Sequence, residues 1–178
     1  MTEKRIRTLF TGRLFDVTQR IVRLDGRRHL YETVRHPGSC AILPIVSPQT
    51  LLLLRQFRPS IGKTFWEIPA GTMERGESAL RCAKREVEEE TGYRAGRLTL
   101  LTMFYPSPGF CTERIHLFSA QKLEPLSQRL EKDEKIRVHT VTFRKAFRLL
   151  QEGSIVDAKT LIALYLLKFK SVARLGKL

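Results

Sequence analysis

The chain has 178 residues, 42% hydrophobic and 28% charged, and its 32 Lys and Arg against 18 Asp and Glu leave a formal charge of +14, which bounds it to one compact domain or a domain with an extension. No apolar run reaches the roughly 18 to 20 residues of a membrane span, and the start, Met1-Thr-Glu-Lys-Arg-Ile-Arg-Thr, lacks a signal peptide's apolar stretch, so a cytoplasmic location is expected. The excess of positive charge raises nucleic acid or an anionic membrane as partners, without deciding for either.

In chain order, alternating residues through Leu14, Val17 and Ile21 to Leu24, then Leu30 to Val34, flank Asp25-Gly26. That pattern predicts a β-hairpin with a tight turn. After Pro37-Gly38, the apolar runs Ala41 to Val46 and Leu51 to Leu54 read as strands buried on both faces. Phe65 to Ile68 reads as another strand, closed by Pro69-Ala70-Gly71. From Ser78 to Thr91 there is neither Pro nor Gly, helix formers dominate, and Gly92 stands just beyond. A helix with a glycine C-cap is predicted there, with Ala79, Ala83 and Val87 as its packing stripe. Strands follow at Leu98 to Phe104, Ile115 to Ala120 and Ile136 to Phe143, then helices at about 144–151 and 158–168, the second capped by Asp157. Strands, helix, strands and helices in that order predict an α/β fold, a mixed sheet with flanking helices. Cys40, Cys82 and Cys111 are far apart with no CxxC pair, which predicts small apolar side chains rather than a disulfide framework or a zinc knuckle.

The charge is unevenly spread. Residues 1–66 carry +8, residues 67–93 carry −3 and residues 94–178 carry +9. An acidic segment framed by cations suits a site that holds a divalent metal and draws in a polyanion. Within it stand Gly71, Glu77 and then Arg85-Glu86-Val87-Glu88-Glu89-Glu90-Thr91-Gly92-Tyr93. This resembles the Nudix box, G-x5-E-x7-R-E-U-x-E-E-x-G-U with U apolar, the one soft departure being aromatic Tyr93. On a helix, Glu86, Glu89 and Glu90 are i, i+3 and i+4, so their carboxylates share a face and can converge on one or two hard cations. Such like charges would otherwise destabilise the helix. Arg85 is placed to orient a carboxylate by paired hydrogen bonds, Gly71 frees the backbone at a strand end, and Ala70 can offer its carbonyl to a metal.

The flanks narrow the resemblance. Leu54-Arg55-Gln56-Phe57-Arg58-Pro59, Trp66-Glu67-Ile68-Pro69-Ala70-Gly71 and Ser107-Pro108-Gly109-Phe110 are similar to segments of the ADP-ribose pyrophosphatase group. The resemblance implies a Nudix α/β/α sandwich over residues 39–178, preceded by an N-terminal antiparallel β-hairpin region, residues 1–38, that serves as a dimerisation element. In such homodimers the N-terminal strands of one subunit contribute to the other's site. It also implies Mg²⁺-dependent hydrolysis, with Mn²⁺ as a substitute, of ADP-ribose to AMP and ribose 5-phosphate. The implied metal ligands are Ala70, Glu86, Glu89 and Glu90. Arg58 is the expected substrate cation and Glu67 a second substrate contact. Glu77 is expected to support the loop and helix, and Glu88 to face solvent. The catalytic base is expected from the acidic loop 131–135, with Glu134 preferred to Glu131 or Asp133 and with Arg85 and Glu89 as its catalytic companions. Trp66 reads as core and Glu113 as an exposed loop acid; Phe110 or Tyr105 could line a base pocket, with core packing the default. The alternatives are another nucleoside diphosphate sugar, such as GDP-mannose, and an RNA-directed protein. No helix-turn-helix or aromatic-rich RNA platform supports the second.

Overall fold

The computed structural model describes residues 4–175 apart from Glu131 and Asp133, so two of the three candidate bases lie outside the described residues. Three antiparallel strands, β1 (Lys4–Thr11), β2 (Asp16–Leu24) and β3 (Arg27–Arg35), form the first sheet. The expected hairpin is β2–β3. Asp25 and Gly26 both have positive φ, 49° and 76°, as a two-residue turn matched to the strand twist requires. Strand β1 was not expected. Its register slips twice against β2, between Lys4 and Arg7 and between Thr8 and Phe10, and these irregularities erase the period of two by which a strand is read.

The second sheet contains β4 (Ser39–Ser47), β5 (Thr50–Arg58), β6 (Lys63–Glu67), β7 (Ala70–Thr72), β8 (Tyr93–Phe104), β9 (Ile115–Pro125) and β10 (Ile136–Thr142). Its spine runs β10-β5-β4-β9-β8, with β6 on β5 and β7 on β4. The β4–β9 pair is parallel and the rest are antiparallel, which makes the sheet mixed, as predicted. Helix α1 (Ala79–Thr91) lies on one face, and α2 (Phe143–Gln151) and α3 (Ala158–Leu175) lie on the other.

The period of two in β4 and β9 builds both layers. Ala41, Leu43, Ile115 and Leu117 pack with Ala146, Leu150, Ala163 and Leu164. Their sequence neighbours Cys40, Ile42, Phe118 and Ala120 pack with Cys82, Ala83 and Val87 of α1. A strand covered on both faces needs apolar residues at every position, and Leu51 to Leu54 are all fully buried. Each such leucine contributes about 1.5–3 kcal/mol relative to exposure. The expected packing stripe of α1 is present, with Ala79 partly buried beside Ala83 and Val87. The cysteines are free, and Cys40 and Cys82 are buried.

Caps define the helix ends. The Ser78 hydroxyl accepts from Arg81 N, and Gly92 adopts φ 70° with its N–H donating to Glu88 O. Asp157 accepts from Thr160 N at 3.0 Å, as its N-cap reading predicts, and α3 runs beyond 168 to Leu175. One topological detail places the site. β4 pairs with β5 only near Ile45–Ser47, and its start, Ser39–Ala41, pairs with β7 instead. The short strand β7 thereby carries Ala70 and Gly71 to the acidic face of α1.

Candidate active site

Helix α1 presents Glu86 and Glu90 inward, 7% and 1% exposed, toward β7. Glu90 Oε2 accepts from Ala70 N at 2.9 Å. A Cβ at Gly71 would stand 1.8 Å from Glu86 Oε1, so any larger residue there displaces the Glu86 carboxylate. Backbone freedom, the expected reason, is not the operative one, because Gly71 is not among the positive-φ glycines.

Arg85 ties the box together. Its Nη1 donates to Glu86 Oε1 at 2.6 Å and to Glu89 Oε2 at 3.1 Å. Its Nε and Nη2 donate to the two oxygens of Glu77, each at 3.1 Å, and Nη2 also reaches Thr72 O. Glu77 further accepts from Glu74 N, so it joins the 72–78 loop to the helix. The Arg85 hydrogen bond holds Glu77 below the usual carboxylate range and, with the coulombic field of Glu86, raises Arg85 itself. Glu88 departs from its expected place in solvent: its side chain is 15% exposed and pairs with Arg94 Nε at 3.4 Å.

The remaining acids are under electrostatic load. Burial pushes Glu86 up to about 7 against the opposing pull of Arg85, with Glu89 and Glu134 adding to the rise. Burial, followed by the charge of Glu86 and opposed in part by the Ala70 N–H, raises Glu90 well above the usual range. Glu134 contributes to that shift as well, so it lies within electrostatic reach of both.

A cleft of about 720 Å³ opens over this face, lined by Ala70, Gly71, Glu86, Glu89 and Glu90. Arg58, Arg85 and Glu134 also line it. Among the described residues no three His, Cys, Asp or Glu side chains are gathered into a coordination sphere, since Arg85 engages Glu86 and Glu89, and the Ala70 amide engages Glu90. The donor chemistry nevertheless fits a hard divalent cation: only oxygen donors are present, and two are buried acids whose charge a cation would stabilise.

Glu67 requires a correction. It lies in the buried layer beside the cleft, 2% exposed, and does not line it. Both oxygens accept from Arg58, Nε to Oε1 at 2.8 Å and Nη2 to Oε2 at 2.6 Å. Lys159 Nζ also donates to Oε2 and, at 2.8 Å, to Asp157 Oδ1. Buried and bonded at both oxygens, Glu67 is not presented to the cleft. It holds Arg58, whose guanidinium is raised by that hydrogen bond. Trp66 packs partly buried on the core, with Arg55 over its ring at 5.0 Å. Phe110 and Tyr105 are exposed and line neither a core nor the cleft. Glu113 is tied down, accepting from Ser39 Oγ at 2.8 Å.

Several cleft residues had no assignment in the sequence. Gln56 is buried on β5 and reaches the cleft between the expected Arg58 and the central strands. Arg129 arrives from the β9–β10 linker, and Arg13 and Leu14 from the β1–β2 turn of the same chain. Only Gln56 lay inside a motif; the others are loop residues brought in by topology.

The profile of the NUDIX domain matches residues 35–164. The chain is 38% identical over 172 residues to the ADP-ribose pyrophosphatase of Bacillus subtilis (strain 168), covering 95% of this chain and 93% of that protein. It is 36% identical over 177 residues to the methanol dehydrogenase activator of Bacillus methanolicus, with coverage of 97% and 96%. Against a GDP-mannose pyrophosphatase of Escherichia coli it is 32% identical over 167 residues, covering 85% of each. A crystal structure described as an ADP compounds hydrolase superposes with a TM-score of 0.83 at 24% identity over 97% of this chain and 95% of that one, which shows the fold.

Proposed function

The chain belongs to the Nudix hydrolase family, and from that premise we propose that it hydrolyses the diphosphate bond of ADP-ribose to AMP and ribose 5-phosphate. The observation that carries this reading is the clustering of Glu86, Glu89 and Glu90 on one helix face beside Ala70, in a cleft that also contains Arg58 and Glu134. The full-length likeness to an ADP-ribose pyrophosphatase supports the choice of substrate.

In this assignment Ala70, Glu86, Glu89 and Glu90 hold divalent metal, Mg²⁺ first and Mn²⁺ as a substitute. When bound, such ions neutralise the diphosphate and lower the pKa of a water. Arg85 orients Glu86 and Glu89. Arg58, fixed by Glu67, offers its remaining N–H groups to a phosphate oxygen. Glu134 accepts a proton from the water that attacks one phosphorus as the bond to the bridging oxygen breaks. Residues 1–38 form the dimerisation extension and residues 39–178 the hydrolase domain. No helix among the described residues is long and apolar enough to cross a membrane.

The test is a substrate panel with Mg²⁺: ADP-ribose, GDP-mannose, ADP-glucose, diadenosine polyphosphates and capped RNA. ADP-ribose is expected to lead by an order of magnitude or more in kcat/KM. The second reading, GDP-mannose or a related sugar nucleotide, rests on the 32% identity to a GDP-mannose pyrophosphatase and would be adopted if that substrate led. The Glu89→Gln variant should lose about 10³-fold or more in kcat while keeping its circular dichroism spectrum. Wild-type turnover in that variant would remove Glu89 from the site.

A further inference from the structure

The linker from β9 to β10 is fastened to the C-terminal end of α1 at three points. Leu126 N donates to Gly92 O at 2.6 Å and Arg129 N to Glu89 O at 3.0 Å, while Gln128 Nε2 donates to Glu90 O at 2.6 Å. The last carbonyls of a helix have no partner within it, so these bonds satisfy groups that would otherwise need water. They also set the position of the next side chain. Arg129 is held beside the backbone of Glu89 and Glu90, and its side chain lines the cleft that contains their carboxylates.

The other arginines of that cleft are engaged. Arg85 is taken up by Glu77, Glu86 and Glu89, Arg58 by Glu67, and Arg13 also has a partner. Arg129 makes no side-chain hydrogen bond or ion pair with a described residue, and it is exposed. A diphosphate entering this cleft meets Glu86, Glu89, Glu90 and Glu134, together with the negative end of the α1 dipole. A guanidinium whose donors no described residue takes up is the group that offsets this repulsion and matches two phosphate oxygens at once.

We propose that Arg129 is a substrate-binding residue, contacting the diphosphate of the nucleoside diphosphate sugar from the linker side of the cleft that Arg58 also lines. The proposal rests on the diphosphate-hydrolase reading above, and inorganic pyrophosphate serves as a probe that does not depend on which sugar nucleotide is turned over. Calorimetric titration of the full chain with pyrophosphate and Mg²⁺ should show Arg129→Gln binding roughly 10- to 100-fold more weakly than wild type. Arg129→Lys should recover part of the loss, and Arg144→Gln, on the exposed face of α2, should bind as wild type. Melting temperatures of the two Arg129 variants should match wild type, and with the preferred substrate KM should rise more than kcat falls. Wild-type pyrophosphate affinity in Arg129→Gln would overturn the proposal, as would equal losses in the Gln and Lys variants accompanied by lowered melting. If wild type hydrolyses no sugar nucleotide but Arg129→Gln still loses pyrophosphate, the hydrolase reading fails and the assignment of Arg129 stands.

Discussion

Glu67 shows why a side chain's chemistry is more legible in a sequence than its direction. Its place in the Trp66-Glu67-Ile68 run marked it as a site residue, but the run does not say which face of β6 meets the cleft. The register with β5, Leu54 opposite Glu67, turns it inward to Arg58 and Lys159. Burial alone would raise its pKa, but the Arg58 hydrogen bond and the charge of Lys159 hold it below the ordinary value. The unfolded chain therefore takes up a proton first as pH falls. The network's stabilisation is whole above the unfolded value near 4.5 and is lost as pH drops through the folded value. Glu67→Gln leaves Arg58 without its counter-ion and Lys159 with Asp157 alone, a cost of about 3 kcal/mol at pH 7. In urea titrations at pH 7 and pH 3.5 the gap between wild type and variant should narrow markedly at the lower pH. A gap independent of pH would mean that Glu67 acts by packing alone.

At the scale of elements, α1 was readable because its signals are local: a serine cap, fourteen residues free of Pro and Gly, and a glycine stop. Carboxylates on one face follow from the helical repeat, so the acidic core of the candidate site came with the helix. Strand β1, with two register slips, and the three-residue β7 depend on their partners and leave little local pattern. Arg129 was invisible for the same reason, since its position is set by bonds that span 38 and 40 residues in sequence. The two ends of α1 consequently predict different phenotypes. Ser78→Ala removes a cap and should cost about 1 kcal/mol with kcat unchanged. Gly92→Ala strains a φ of 70° and sets its Cβ 2.9 Å from Gln128 N and 3.1 Å from Leu126 O. It should lower the melting temperature and also disturb the linker, raising KM several-fold at a stability where Ser78→Ala does not. Parallel behaviour of the two variants would show that the linker's attachment has no bearing on the site.

For the whole molecule, the first sheet leaves an apolar surface that its own chain does not cover. In register Leu30 and Phe10 share one face, 58% and 55% exposed, and Tyr31 is exposed on the other. A three-stranded sheet gains lasting stability from a covered apolar face, and a self-complementary dimer is the commonest way to supply one. A chain with a formal charge of +14 repels its own copy, so an association through this face would be apolar in origin and opposed by long-range charge. Screening should then strengthen it: the dimer constant should rise between about 50 mM and 300 mM salt, as the Debye length falls below about 10 Å. An ion-paired interface would weaken over the same range. Leu30→Glu introduces a charge into the proposed contact and should shift the sedimentation profile toward the 20.6 kDa monomer without altering the melting of the Nudix core. A wild-type monomer at tens of micromolar across that salt range would remove self-association as the explanation for the exposed face, and would leave Arg13 and Leu14 as the extension's contribution to its own chain's cleft.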